Sequence, residues 1–109
     1  MTSPSARIDA LRAIVAKQPG NAVARFGLGV EALKAELWQE AADHLTTYLA
    51  TADDEGNGYG RLAEALVRLG RADDARAALR KGVEAAERFG HPGMASEFES
   101  RIEELDAES

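Results

Sequence analysis

A shift of 34 residues brings apolar and small residues of this chain onto similar residues further along it. Between 22–50 and 56–84, the identical pairs are Leu28 with Leu62, Ala41 with Ala75, and Leu45 with Leu79. The other aligned residues differ, so the information lies in where the matches fall. A period of this length indicates a repeated supersecondary unit, which must stack on its neighbours because it cannot bury its apolar face alone.

Apolar residues recur at helical spacing through most of the chain, which predicts an all-α protein of about six helices. Pro19-Gly20 and Gly90-His91-Pro92-Gly93 interrupt this pattern, because proline and glycine end helices. The chain of 109 residues fits a single domain, and we expect Phe89 in its core and fraying after Leu105. The predicted parts are an N-terminal half-repeat helix at 5–18, a first repeat at 21–52, a second repeat at 56–89 and a C-terminal capping helix at 92–106.

Local residue types predict several helix ends. Ser5 and Asn21 are placed to cap the first and second helices through their side-chain oxygens. Gly70 is placed to end the fourth helix in the left-handed conformation that glycine adopts readily. Residues 51–58 are rich in Asp and Gly, which predicts the longest loop of the chain.

The large and small residues of the repeats resemble the tetratricopeptide pattern, which is Trp-x2-Leu-Gly-x2-Tyr, then Ala-x3-Phe, then Pro. The matching segments are Leu28-Gly29 with Ala41-x3-Leu45, and Tyr59-x2-Leu62-Ala63-x2-Leu66 with Ala75-x3-Leu79. The departures are Arg25 and Ala32 at aromatic positions, and Asp53 and Glu87 at the closing proline. The resemblance implies antiparallel helix pairs stacked as a right-handed superhelix. A generic α-helical bundle is the alternative.

In the tetratricopeptide family the first helix of each pair lines a concave surface that binds a partner peptide or helix. The resemblance implies that this surface comprises Val23, Phe26, Val30, Leu33, Lys34, Asn57, Arg61, Glu64, Val67, Arg68 and Phe98. Phe26, Val30 and Phe98 have a second interpretation, which is packing in the core. Gly58 and Gly60 either let a ligand backbone approach or mark a frayed start of the fourth helix.

The resemblance thus implies a protein–protein interaction module, a small adaptor or assembly factor whose partner the sequence does not identify. The alternative function is homodimerisation through the first helix, whose apolar residues Ile8, Leu11 and Val15 lack a partner helix of their own. An N-terminus without an apolar signal segment, and no apolar run that could span a membrane, predict a cytoplasmic protein with no membrane partner.

Catalysis and metal binding have few candidate residues. There is no cysteine, and the histidines are His44 and His91. His44 is expected to point outward from the second helix of a repeat, and its neighbour Asp43 cannot face it across one helical step. We therefore predict no enzymatic activity, no cofactor and no metal. A net charge of −6 argues against nucleic acid as a partner.

Overall fold

The computed structural model describes residues 4–108. Every regular element in that range is an α-helix, and the helices are α1 (Pro4–Lys17), α2 (Ala22–Lys34), α3 (Trp38–Thr51), α4 (Asn57–Arg68), α5 (Ala72–Arg88) and α6 (Pro92–Glu108). The chain divides into two compact units, Met1–Ala52 with α1 to α3 and Asp53–Ser109 with α4 to α6. Within each unit, sequential helices pack against one another. The predicted all-α fold of sequentially paired helices is confirmed.

The first unit is centred on α2, which packs against both α1 and α3. Ile8 and Val15 of α1 form a buried cluster with Ala24 and Leu28 of α2, and Leu11 packs against this cluster while staying partly exposed. The apolar side of α1 is therefore largely covered by α2, which leaves less of it for a dimer contact than the sequence analysis allowed.

Helix α2 begins and packs in the way that its sequence predicts. The side-chain oxygen of Asn21 accepts a hydrogen bond from the backbone N–H of Ala24 at 3.0 Å, so Asn21 caps the helix. A Cβ atom on Gly29 would lie 2.8 Å from Cγ of Leu45, which is fully buried in α3. The absent side chain at this position allows α2 and α3 to approach closely.

The second unit is centred on α5, which packs against both α4 and α6. Phe98 of α6 is 4% exposed, and its ring lies 2.8 Å from the place where a Cβ atom on Gly60 or on Gly82 would stand. These glycines let the aromatic ring fit between α4 and α5. The sequence-based interpretation of Gly60 as an opening for a ligand backbone is therefore wrong, because Phe98 fills that space.

Helices α2, α4 and α5 each end in the same type of turn. Its first residue after the helix cap has a positive φ angle, which is 61° at Glu36, 75° at Gly70 and 77° at Gly90. The next N–H donates to a carbonyl five residues earlier, at 2.9 Å from Leu37 to Ala32, 2.8 Å from Arg71 to Leu66 and 2.7 Å from His91 to Ala86. This is the Schellman arrangement, which satisfies carbonyls at the helix end. Gly70 adopts the predicted conformation, and Glu36 adopts it without being glycine.

The start of α4 is organised by Asp54, which is 7% exposed. Its carboxylate oxygen Oδ1 accepts hydrogen bonds from the backbone N–H groups of Gly56 and Gly58, each at 2.8 Å. A carboxylate at this place also complements the helix dipole. The loop predicted at 51–58 is shorter than expected, since α3 includes Thr51 and α4 already begins at Asn57.

Three expectations about chain segments are wrong. Ser5 does not cap α1, because it lies inside the helix, which already includes Pro4. Phe89 is 42% exposed, because it lies at the C-terminal cap of α5 beyond the residues that face the core. Where fraying was expected after Leu105, α6 remains helical and continues to Glu108.

Candidate interaction surfaces

A groove of about 380 Å³ lies between α4 and α6, and we call it the α4/α6 groove. It is lined by Asn57, Gly60, Arg61 and Glu64 of α4 and by Met94, Glu97, Phe98 and Arg101 of α6. Past Glu64 and Arg101 it adjoins a further hollow of about 220 Å³, which adds Val67, Arg68 and Leu105 to the lining. The surface therefore combines apolar side chains with charges of both signs.

Arg101 is held in place at the floor of the α4/α6 groove. Its guanidinium nitrogen Nη2 donates a hydrogen bond to the backbone carbonyl of Gly60 at 3.2 Å. The guanidinium carbon also lies 5.7 Å from the centre of the Phe98 ring, within range of a cation–π attraction. These contacts fix the side chain, so its charge is presented to the groove in a defined position.

Arg61 is the member of the groove whose hydrogen bonds are incomplete. Its Nε atom is buried and, within residues 4–108, has no hydrogen-bond partner. A buried donor without an acceptor carries an unrecovered desolvation cost. Glu64 and Glu97 line the same groove, yet no ion pair within 4.0 Å joins either of them to Arg61 or Arg101 in the described part of the chain. The groove can therefore offer both cations and carboxylates to a ligand.

A second groove, of about 410 Å³, lies between α1 and α2 and is called the α1/α2 groove. It is lined by Arg7, Ala10, Leu11 and Ile14 of α1 and by Phe26, Gly27, Val30 and Glu31 of α2. Arg7 and Glu31 face each other at 3.5 Å, and the rest of the lining is apolar. Ile14 is 41% exposed, so a large apolar side chain here is open to solvent.

The residues of the first unit that were predicted for the concave surface do not all lie in one groove. Phe26 and Val30 line the α1/α2 groove, and Phe26 also contacts the ring of Tyr48, with the ring centres 4.9 Å apart. Val23 is 84% exposed outside that groove lining, whereas Leu33 is buried. Lys34 is exposed too, with its Nζ 3.6 Å from a carboxylate oxygen of Glu31.

In the second unit, the predicted surface residues lie together. Asn57, Arg61, Glu64 and Phe98 line the α4/α6 groove, and Val67 and Arg68 line the adjoining hollow. Phe98 lies at the floor and is nearly inaccessible, so it shapes the groove more than it contacts solvent.

Sequence reasoning missed Glu97 and Arg101, because it treated α6 as a cap for the stack. The 34-residue shift carries the signal, since it places Arg101 at the position of Val67, a residue predicted to lie on this surface.

The expectation that His44 points outward is wrong. Its side chain is 19% exposed and lies within a charged network. Its Nδ1 lies 3.3 Å from Nη1 of the Arg25 guanidinium. Its Nε2 is 3.5 Å from Glu40, whose carboxylate also accepts two hydrogen bonds from Arg12 at 2.6 and 2.8 Å. These bonds hold the pKa of Glu40 below its usual value.

His91 lies just before α6 with its Nε2 3.4 Å from a carboxylate oxygen of Glu55. Residues 4–108 contain no cluster of three or more His, Cys, Asp or Glu side chains that could hold a metal ion. Within the same residues, no helix has the length and apolar character that crossing a membrane requires.

The sequence matches no protein-family model, and no curated protein gives a significant match. Among solved structures, protein BPP2914 from Bordetella parapertussis is similar with a TM-score of 0.76 and 26% identity, over 93% of this chain and 88% of that chain. MamA AMB-1 is similar with a TM-score of 0.63 and 21% identity, over 90% of this chain and 66% of that chain. MamA MSR-1 has a TM-score of 0.64 and 22% identity, over 93% of this chain and 66% of that chain.

MamA is a tetratricopeptide-repeat protein, and at these identities the likeness establishes the fold alone. The chain therefore has an all-α, tetratricopeptide-like fold of helices packed in adjacent pairs. The resemblance seen in the sequence is confirmed at the level of the fold. Proteins with such a fold are usually non-catalytic and generally have protein partners.

Proposed function

We propose that this chain is a protein-interaction module, a small adaptor or assembly factor that holds a peptide or helical segment of a partner protein in the α4/α6 groove. The tetratricopeptide-like fold supports a protein partner, and the groove supports the location. No catalytic step is part of the proposal. A chain without cysteine suits a reducing compartment, so the cytoplasm is the proposed location.

The observation that carries the proposal is the Arg61 side chain, which lines the groove without an ion pair to Glu64 or Glu97 and whose buried Nε has no hydrogen-bond partner in the described chain. A carboxylate of the partner would pair with the Arg61 guanidinium where it lines the groove, and a charge-assisted hydrogen bond of this kind contributes about 1.5–3 kcal/mol. Because Glu64 and Glu97 lie in the same groove, the segment that fits best also carries a basic side chain. From Asn57 to Arg68 the α4 wall is about 16 Å long, which matches about five residues of an extended peptide.

The proposal is tested by selecting random peptides on the immobilised full chain and measuring their affinity for two arginine variants. Arg61→Ala removes the unpartnered guanidinium. Arg80→Ala is the matched control, since Arg80 is exposed on α5 and lines neither groove. Circular dichroism establishes that both variants remain folded.

We expect the selected peptides to bind Arg61→Ala about tenfold or more weakly, because 1.4 kcal/mol corresponds to a factor of ten. We expect the same peptides to bind Arg80→Ala as tightly as the unchanged chain. Equal losses in the two variants would show a non-specific charge effect, and no loss in Arg61→Ala would remove the α4/α6 groove as the binding site.

The second candidate function is self-association through α1. Its support is the exposed Ile14 beside the apolar α1/α2 groove. The burial of Ile8 and Val15 under α2 weighs against it, because these side chains are no longer available to a second copy. Sedimentation equilibrium separates the two functions, since only self-association makes the measured mass rise with concentration.

A further inference from the structure

Helix α1 corresponds to α3 and α5 at intervals of one period. These helices begin at residues 4, 38 and 72, so successive starts are 34 residues apart. The same shift places Leu11 of α1 on Leu45 of α3, and Leu45 on Leu79 of α5. A face that is buried in α3 and α5 can therefore be compared, residue by residue, with the same face of α1.

The comparison shows that this face of α1 is less covered than the same face of α3 and α5. Leu45 is 0% exposed and Leu79 is 1% exposed, whereas Leu11 at the same position stays partly exposed. Ile14 is 41% exposed, whereas Tyr48 one period later is half-buried and Gly82 two periods later is buried. In α3 and α5 this face packs on the preceding helix, α2 or α4, and α1 has no preceding helix within residues 4–108.

The pair formed by α2 and α3 shows which kind of helix covers such a face. Gly29 of α2 lies directly over Leu45, because a Cβ atom added to it would stand 2.8 Å from the leucine Cγ. One period later the small residue is Ala63, which is 0% exposed. Leu28 and Leu62 come directly before these small residues and are themselves buried. A helix that covers this face thus carries a leucine followed by glycine or alanine.

The α2 wall of the groove also has a counterpart that is already in contact with a helix. Val30 precedes Phe98 by 68 residues, or two periods, and Phe26 precedes Met94 by the same number. Phe98 packs against α4, since its ring lies 2.8 Å from the Cβ position of Gly60. Both walls of the α1/α2 groove therefore correspond to surfaces that, in the second unit, contact the first helix of a pair.

We infer that the α1/α2 groove is a docking site for an amphipathic α-helix of a partner protein, seated as the first helix of a pair with α1. This interaction is separate from peptide binding in the α4/α6 groove. The lining from Arg7 to Ile14 is about 10 Å long, or two helical turns. The docked helix places its glycine or alanine over Leu11 and its leucine beside it. Arg7 stands where α3 has Ala41, and its side chain is 52% exposed even though it pairs with Glu31, so the partner helix carries a carboxylate at that end.

The probe for this site is a synthetic peptide with the sequence of residues 21–35 of this chain, blocked at both ends. It contains the leucine–glycine pair of a covering helix, and a second peptide with Gly29→Leu is its control. A leucine cannot sit over another leucine at the close distance that Gly29 allows. Binding to the full chain is followed through methyl resonances in NMR spectra, a method that detects the weak affinity expected of a short isolated helix.

Two variants of the full chain, each with an α1 alanine replaced by glutamate, locate the binding. Ala10 and Ala13 are both exposed on α1, and only Ala10 lines the α1/α2 groove. We expect saturable shifts centred on Leu11 and Ile14, an affinity about tenfold or more lower for Ala10→Glu, and an affinity within about twofold of the original for Ala13→Glu. We expect a similar loss, about tenfold or more, for the Gly29→Leu peptide with the unchanged chain.

Several results would overturn the inference. These are shifts that lie outside the groove, equal binding of the two peptides, and equal effects of Ala10→Glu and Ala13→Glu. A concentration-dependent dimer that Ala10→Glu dissociates and Ala13→Glu preserves would also overturn it, because the occupant would then be a second copy of this chain. Arg61→Ala leaves the helix peptide binding unchanged, so failure at one groove is distinguishable from failure at the other.

Discussion

The turn between α2 and α3 places the non-glycine residue Glu36 at a φ angle of 61°, and replacing it tests how the chain is stabilised. The side chain is exposed, so Glu36→Gly changes mainly the backbone. A left-handed conformation costs a non-glycine residue about 1–2 kcal/mol. Glycine gains additional freedom in the unfolded chain, which offsets about 0.5–1 kcal/mol of this. We therefore expect Glu36→Gly to raise the free energy of unfolding by about 0.5–1 kcal/mol.

Urea and thermal unfolding followed by far-UV circular dichroism measure this effect. For a chain of this size, about 1 kcal/mol corresponds to about 4–8 °C in Tm, so we expect a rise of about 2–8 °C. Glu36→Ala is the matched control, because it removes the carboxylate and keeps the unfavourable φ angle. Its stability should stay within about 0.5 kcal/mol of the original.

The equivalent turn after α4 provides the opposite experiment. Gly70 has a φ angle of 75°, and a Cβ atom added to it would meet no heavy atom within 4 Å. Gly70→Ala therefore introduces the backbone cost without a steric clash, and we expect it to lower the free energy of unfolding by about 1 kcal/mol. Equal stabilities of Glu36→Gly and Glu36→Ala, or an unchanged stability of Gly70→Ala, would refute the reasoning.

Further predictions concern the second unit and the acid stability of the first. Gly82→Ala should lower the free energy of unfolding by about 1–3 kcal/mol, because its Cβ atom would stand 2.8 Å from the Phe98 ring, and Phe98→Leu in the same chain should recover part of the loss in a double-mutant cycle. Independent effects of the two substitutions would contradict this contact. Asp54→Ala should cost about 1–3 kcal/mol in urea unfolding, since two buried backbone N–H groups lose their acceptor, and a neutral result would show that water replaces the carboxylate. Because Arg12 holds the pKa of Glu40 below 4.5, this carboxylate stabilises the fold above pH 4.5 and loses that contribution as the pH falls below it. Glu40→Gln should therefore flatten the acid side of a plot of the urea midpoint against pH, and an unchanged slope would rule out this origin.

The two grooves differ in the ligand chemistry that they favour. The α1/α2 groove is apolar apart from the pair of Arg7 and Glu31, which suits the buried side of an amphipathic helix. The α4/α6 groove presents Arg61 and Arg101 beside carboxylates, which suits a charged peptide. The variants described above address each surface separately.

Local chemistry explains why several features could be predicted without a structure. Asn21 caps α2 and Gly70 ends α4 because the free energies involved depend on a few neighbouring residues. The small residue at position 29 was predictable from the repeat pattern, since a helix pair that approaches closely has no room for a side chain there. Such features need no knowledge of which distant segment becomes the neighbour.

The failed expectations depend on contacts between residues far apart in the chain. Gly60 was interpreted as an opening, but Phe98 fills the space beside it. His44 was expected on the outside, but its ring nitrogens contact Glu40 and, on α2, Arg25. The residue type of Glu36 does not indicate a left-handed conformation, although its turn requires the same conformation as that of Gly70. In each case the partner lies on another element, or the fold imposes a conformation that the residue type does not favour.

The sequence by itself determined the helices, their 34-residue order and hence the tetratricopeptide-like fold, because helix spacing and close packing are written in residues a few positions apart. The tertiary structure alone decided which surfaces remain open. Leu11 and Leu45 are the same residue type at the same place in the period, and only the helix packed over Leu45 makes it fully buried while Leu11 remains partly exposed. Burial is a property of the whole packed unit, so no local pattern could distinguish these leucines.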